Sequence, residues 1–272
     1  MTRLYIQWPN EPNMNKKIQL LAFLLLSCLL VTAQDLSMYQ KKWYISGKDT
    51  MPYRILLPEN YDASKKYPLV FFLHGAGERG NDNELQLVHG AKLFLKEENR
   101  KNFPAIIVFP QCPANSFWSN VEFKMDNGKR TFAFLEAGEP TIAMKLAQEL
   151  LMSLMKEYPV AKKQIYVGGL SMGGMGTFEI VKRNPKLFAA AIPICGGANV
   201  ATAAALKKPT WWVFHGAKDD VVPPKLSEDM VEAMKKEKVT VKLTIYPNAN
   251  HNSWDAAFAE PDLLPWLFAQ KK

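Results

Sequence analysis

Cysteine is scarce in this chain. It has three in 272 residues, and two of them, Cys112 and Cys195, lie beyond the N-terminal leader described below. Two cysteines can pair in an oxidising compartment, but they do not make a disulfide framework. There are four histidines and no H-E-x-x-H, C-x-x-C or similar ligand cluster, which argues against a catalytic metal. The apolar stretch Ile18–Val31 is shorter than the roughly 17–25 residues a spanning helix needs. Repeats, low-complexity tracts and obvious linkers are also missing. The net charge of +8 gathers into no basic stripe: lysines interleave with acids, as in Lys235-Lys236-Glu237-Lys238. That pattern describes solvated surface and excludes nucleic acid as the expected partner.

A composition of 48% hydrophobic and 22% charged residues suits one large globular domain. The chain start reads differently. Met14-Asn15-Lys16-Lys17 is a positive region, Ile18–Val31 is apolar, and Val31-Thr32-Ala33 is a small-residue cleavage signal. Residues 14–33 therefore read as a secretory signal peptide, which predicts a secreted or periplasmic protein with no stable membrane insertion after cleavage. The polar segment upstream fits neither a signal nor a fold, so Met14 is the expected true start. Leu25-Leu26-Ser27-Cys28 faintly resembles a lipoprotein cleavage box, and an outer-membrane lipoprotein is the minor alternative. Cleavage removes Arg3, Lys16, Lys17 and Glu11, which lowers the net charge only to +6. Residues 34–272 are expected to form the single domain.

Within it, short apolar runs alternate with helical patterns. Lys42–Ser46 and Tyr53–Leu57 read as a hairpin across Gly47-Lys48-Asp49. Leu69–Leu73, Ala105–Phe109, Ile165–Val167, Ala189–Ile194, Trp211–Phe214 and Val241–Tyr246 have strand length, and the first two are continuous Val/Ile/Phe-rich runs of the kind buried on both faces. Thr141–Tyr158 reads as a helix stopped by Pro159. A second follows residue 171 to about Arg183, and a third carries Leu226, Met230 and Met234 on one face. This alternation predicts an α/β fold with a mainly parallel, twisted sheet of about eight strands and helices on both faces. Residues 112–140 are the one long irregular stretch, expected to be a lid or binding loop.

The most informative segment is Gly169-Leu170-Ser171-Met172-Gly173, which fits G-x-S-x-G, a serine on a strained strand-to-helix turn. Such a pentapeptide arises by chance in roughly one chain in ten of this size, so its surroundings must carry the case. An activated serine needs a base, an orienting acid and donors for the developing oxyanion. The strand Trp211–Phe214 runs into His215-Gly216-Ala217-Lys218-Asp219-Asp220, and the strand Val241–Tyr246 is followed by His251. Serine, acid and histidine thus arrive in the chain order expected for this architecture. Ser171 is the candidate nucleophile, His251 the candidate base and Asp219 the candidate acid; Asp220 and, more distantly, Asp255 remain alternatives. The Met172 amide, at a helix N-terminus, and the Ala76 amide, in the Gly-rich loop His74–Gly80, are the expected oxyanion donors. His74 and His215 read as structural histidines that bond nearby backbone. Glu78 and Arg79 either pair with each other or brace their loop. Trp118 either stacks on a sugar or phenolic ring or caps the core.

On His74-Gly75-Ala76-Gly77-Glu78-Arg79-Gly80, Pro110-Gln111-Cys112-Pro113, Gly169–Gly174, His215–Asp219 with Val222-Pro223, and His251, the chain resembles the α/β-hydrolase superfamily. It is most similar to secreted esterases of the phospholipase/carboxylesterase, polyhydroxybutyrate-depolymerase-like and feruloyl-esterase-like groups, over about residues 40–270. The pattern around the family's acid is what favours Asp219 over Asp220. The resemblance implies ester hydrolysis through an acyl-serine intermediate, without cofactor. With the leader and the aromatics Phe117, Trp118 and Phe123, it implies a small-molecule or polysaccharide-linked substrate, such as feruloyl or acetyl esters of carbohydrate. A general carboxylesterase or lysophospholipase is the alternative; a peptidase or a non-catalytic secreted module ranks lower.

Overall fold

In the computed structural model, which describes residues 36–126 and 129–272, an eight-stranded mixed sheet carries the molecule. The leader expected over residues 1–33 lies outside the described residues. The hairpin forms as β1 (Gln40–Ser46) and β2 (Asp49–Leu56), antiparallel, with Ser46 opposite Asp49 and Gly47 at φ +60° in the connecting turn. The central strands are β3 (Tyr67–Leu73), β4 (Ile106–Pro110) and β7 (Val160–Leu170), followed by β8 (Ala190–Ile194), β9 (Thr210–Gly216) and β10 (Val241–Tyr246). They lie in the order β1-β2-β4-β3-β7-β8-β9-β10, parallel from β4 to β10, with β2 antiparallel to β4.

The apolar runs are continuous because both sheet faces are covered. Leu69, Phe71 and Leu73 enter one core, and Val70 and Phe72 the other; Ile106 and Val108 alternate with Ile107 and Phe109 in the same way. The first face is covered by three helices: α3 (Ile142–Glu157), α4 (Met172–Arg183) and α5 (Lys225–Lys236). The second is covered by shorter ones: α1 (Ala91–Leu95), α6 (Trp254–Ala259) and α7 (Leu263–Ala269). The small helix α2 (Glu97–Asn102) follows α1 and contributes no buried residue. The α3 boundaries follow from capping: Thr141 Oγ1 accepts the Met144 N–H at 3.1 Å, and Pro159 follows the C-cap Tyr158.

Two expectations change. Strand β7 is longer than Ile165–Val167, because Val160 already pairs with Tyr67 before a register shift ahead of Leu69. Residues 112–140 are not wholly irregular: β5 (Val121–Asp126) and β6 (Lys129–Phe134) form a separate antiparallel hairpin. Phe117, Phe123, Phe132 and Phe134 form a chain of ring contacts on it. Among the described residues no helix is long and apolar enough to cross a membrane.

Candidate active site

Ser171 sits where β7 turns into α4, with φ +54° and ψ −116°, a backbone region that L-residues rarely adopt. The turn is held by its own N–H, which donates to Ile194 O at 2.9 Å. Gly173 is obligatory for this geometry: a β-carbon there would stand 1.9 Å from the Leu73 carbonyl oxygen. The loops after β9 and β10 are laced together. Ala217 N–H donates to Tyr246 O and Lys218 N–H to Ala249 O, and a β-carbon on Gly216 would meet Asn250 O at 2.3 Å. Close approach of these loops brings His251 over the serine.

Three side chains consequently form a hydrogen-bonded line. Ser171 Oγ lies 2.9 Å from His251 Nε2, and His251 Nδ1 lies 2.8 Å from Asp219 Oδ2. Asp219 Oδ1 accepts the Val221 and Val222 N–H groups, both at 2.9 Å. Nδ1–H faces the carboxylate, so the Nε2 lone pair is free to accept the serine proton, as a general base requires. Asp220 and Asp255 are both exposed, and the Asp255 carboxylate accepts from Asn252 Nδ2 at 3.3 Å.

With this geometry in view, comparison with known proteins assigns the chain. Residues 46–259 match the family model for esterases. The chain belongs to the Esterase family. It is similar to a crystallised thermostable esterase, at 32% identity and a TM-score of 0.77, covering 87% of this chain and 64% of that one. It is 24% identical over 221 residues to endo-1,4-beta-xylanase Y of Acetivibrio thermocellus, covering 72% of this chain and 19% of that protein. It is also 24% identical over 179 residues to the probable feruloyl esterase C of Aspergillus terreus, covering 66% of this chain and 57% of that protein. The chain thus spans only part of each of these relatives. The fold is that of the α/β-hydrolases, with the antiparallel β1–β2 pair at one edge of the mainly parallel sheet.

In this member of the Esterase family Asp219 is held by several hydrogen bonds. Burial opposes ionisation of Asp219, but hydrogen bonds from His215, His251 and the Val222 N–H outweigh it and keep the carboxyl well below the usual carboxylate range. His215 is more than a backbone anchor. Its Nε2 faces two acceptors, Asp219 Oδ2 at 3.2 Å and Val222 O at 2.9 Å, so that nitrogen carries a hydrogen. Its Nδ1 contacts Ser227 Oγ at 2.8 Å. His74 fits the structural expectation: Nε2 accepts the Cys112 N–H at 2.9 Å, and Nδ1–H donates to Gly75 O at 2.6 Å. Burial pushes this imidazole down to about 4, so it stays neutral.

Ala76 opens a one-turn 3-10 helix, Ala76–Glu78, directly after the β3 end, and Met172 is the first residue of α4. Both lie at termini whose first N–H groups lack intrahelical partners. Arg79 braces the first of these: its Nε donates to Ala76 O at 3.0 Å, and its guanidinium lies 5.4 Å from the Phe117 ring. No Arg79–Glu78 ion pair occurs among the described residues.

Trp118 corrects an expectation. It is fully buried, its Nε1 donates to His74 O at 3.1 Å, and its β-carbon fills the space beside Gly176, so it cannot stack on a substrate. The aromatics that remain accessible are its neighbours: Phe117 and Phe123 line a cavity of about 600 Å³ together with Arg79, Asn115 and Glu122. The two cysteines, whose pairing the sequence left open, are unpaired. Both thiols are free and buried, Cys112 in the core on one sheet face and Cys195 in the core on the other. Burial pushes the Cys112 thiol up to about 12, so it is inert rather than a nucleophile.

Cys195, Asp219 and His251 offer ligand atoms within 4.8 Å of one another, the one such group of three among the described residues. A cation there would have to break the Asp219–His251 hydrogen bond. Two neighbours escaped the sequence reading. Trp254 stands edge-on to His251 with ring centroids 5.3 Å apart, and His215 touches the acid itself. The His-Gly pair four residues before Asp219 was the available signal for the second; nothing in the sequence marked the first.

Proposed function

We propose that this esterase hydrolyses carboxylic esters through an acyl-serine intermediate, with Ser171 as nucleophile, His251 as base and Asp219 as the orienting acid. The observation that carries this reading is the unbroken line Asp219–His251–Ser171 at 2.8 and 2.9 Å, with the proton-accepting nitrogen toward the serine. As Ser171 Oγ bonds to the carbonyl carbon, His251 Nε2 takes its proton. The carbonyl oxygen becomes an oxyanion received by the Ala76 and Met172 N–H groups. His251 then gives the proton to the alcohol oxygen, whose bond to the acyl carbon breaks. Water, activated by the same imidazole, releases the acid and restores Ser171. No cofactor takes part.

We assign the substrate to acyl esters of carbohydrates, feruloyl or acetyl, presented as small molecules or on polysaccharide. The accessible aromatic wall of Phe117 and Phe123 supports this, as does similarity to a xylanase and a feruloyl esterase. The pattern of residues 14–33 supports export to the periplasm or beyond, with residues 34–272 as the functional domain. A general carboxylesterase is the second reading, favoured by the 32% identity to a structure described only as a thermostable esterase.

Hydrolysis of p-nitrophenyl acetate tests the mechanism. Replacing the nucleophile, Ser171→Ala, should lower turnover by a factor on the order of 10⁶. A wild type no faster than that variant would show the assignment to be wrong. Release of acetate, ferulate and fatty acid from a matched ester panel tests the substrate class; preference for long-chain lipid esters would favour the second reading.

A further inference from the structure

His251 fixes the side of the site from which the alcohol leaves. The base that takes the serine proton must deliver it to the departing oxygen, so the alcohol half of an ester rests against whatever flanks that imidazole. Here the flank is a chain of three side chains. The half-buried Trp254, at the start of α6, packs edge-on against His251, and the His89 ring lies 5.0 Å from Trp254. His89 Nε2 in turn stands 3.8 Å from Glu78 Oε1, too far for a hydrogen bond.

Glu78 is the anomaly. Its Oε2 is enclosed and has no hydrogen-bond partner. The nearest histidine nitrogen on that oxygen, His74 Nδ1 at 4.0 Å, already donates to Gly75 O, and Arg79 is turned toward Ala76 O and Phe117. A carboxylate left with unused acceptor capacity in a largely buried position is costly, and native structures keep few such groups. This one lies beside the nucleophile: a β-carbon at Gly75 would be 2.9 Å from Glu78 Oε2 and 3.7 Å from Ser171 Cβ. On its far side from Glu78, His89 borders a cavity of about 300 Å³ with Lys92, Lys96, Asp255 and Phe258 in its walls.

We propose that Glu78, His89 and Trp254 form an alcohol-side subsite that selects a polyhydroxylated leaving group, a sugar ring. Glu78 accepts a ring hydroxyl at Oε1, the oxygen on the His89 side, His89 bonds a second, and Trp254 offers its face to the apolar C–H side of the ring. A methyl or ethyl ester has no hydroxyl left on its alcohol half and gains nothing from Glu78. This assignment rests on the carbohydrate-ester reading above and adds the residues that recognise the sugar, whichever acyl group is carried.

The test uses the full chain and pairs of esters that share an acid: methyl and arabinosyl ferulate, methyl and xylosyl acetate. The readout is the ratio of kcat/KM for the sugar ester over the methyl ester. In the wild type this ratio should exceed one. Glu78→Gln should lower it about tenfold or more, the scale of one hydrogen bond to a charged group. His89→Ala, at a partly exposed position, should lower it in the same direction and guards against a folding defect in the first variant. If both variants slow the two esters in proportion, or if the wild-type ratio is one or less, the subsite is overturned while ester hydrolysis stands. A wild type no faster than Ser171→Ala on the methyl esters overturns the hydrolase reading, and the subsite with it.

Discussion

Asp219 and Asp220 are adjacent acids with opposite fates. Asp219 spends both oxygens, one on the Val221 and Val222 amides and the other on His251 and His215, while Asp220 is exposed. Asp219→Asn is expected to lower kcat about 10³- to 10⁴-fold, the range for a lost orienting acid. The reason is tautomeric. The amide oxygen would keep the two backbone donors, and the NH2 group would face His251 Nδ1. The imidazole would then carry its hydrogen on Nε2 and could no longer accept from Ser171. Asp220→Asn should change kcat by less than about twofold, since an exposed charge in a polar turn contributes little. Initial rates on p-nitrophenyl acetate measure both, and equal losses would remove Asp219 from its role. The choice between these neighbours was legible only through the family pattern, because hydrogen-bond direction is not written in local sequence.

The strand-to-helix turn is the element on which the site depends, and it tolerates no bulk. A β-carbon on Gly173 would fall 1.9 Å from Leu73 O, whereas one on Gly77 would meet nothing within 4 Å. Gly173→Ala should therefore cost several kcal/mol, seen as a large fall in melting temperature or loss of soluble protein, while Gly77→Ala should melt near the wild type. The long strands and helices were readable because their periods are strong: continuous apolar runs for β3 and β4, a stripe of Ala143, Leu146, Ala147, Leu150 and Leu154 for α3. Helices of five to seven residues were not. Helix α7 contains Pro265 within Leu263–Ala269, and α1 and α6 are too short for a period to repeat. The β5–β6 hairpin was missed although Asn127-Gly128 between its strands is a known hairpin signal.

At the scale of the whole molecule, acid should destabilise the fold. His74, buried at the end of β3, has its imidazole lowered from the ordinary 6.5 to about 4, first by burial. The unfolded chain therefore binds that proton more readily than the folded one between those values. Stability from this group is complete above about pH 6.5 and is lost as pH falls toward 4, by about 3 kcal/mol in all. The depressed Asp219 carboxyl acts in the same sense, and its contribution disappears at still lower pH. Melting temperature should fall between pH 7 and 4.5, and the fall should be smaller in His74→Asn. An unchanged difference in that variant would mean other groups set the acid limit.

The sequence by itself determined the class of fold, the order of its main strands along the chain, and the candidate residues Ser171, Asp219 and His251. Hydrophobic periodicity and the chain order of three strand-end loops are local properties that survive without coordinates. Only the tertiary structure decided what lies around them. It buried Trp118 beneath His74, kept Cys112 and Cys195 in separate cores, and set His215 against the acid. It also aligned Trp254, His89 and Glu78 beside His251 from segments far apart in the chain. Whether an aromatic ring faces substrate or core depends on which strands its loop is packed between, and that is fixed by sheet order and close packing rather than by its neighbours in sequence.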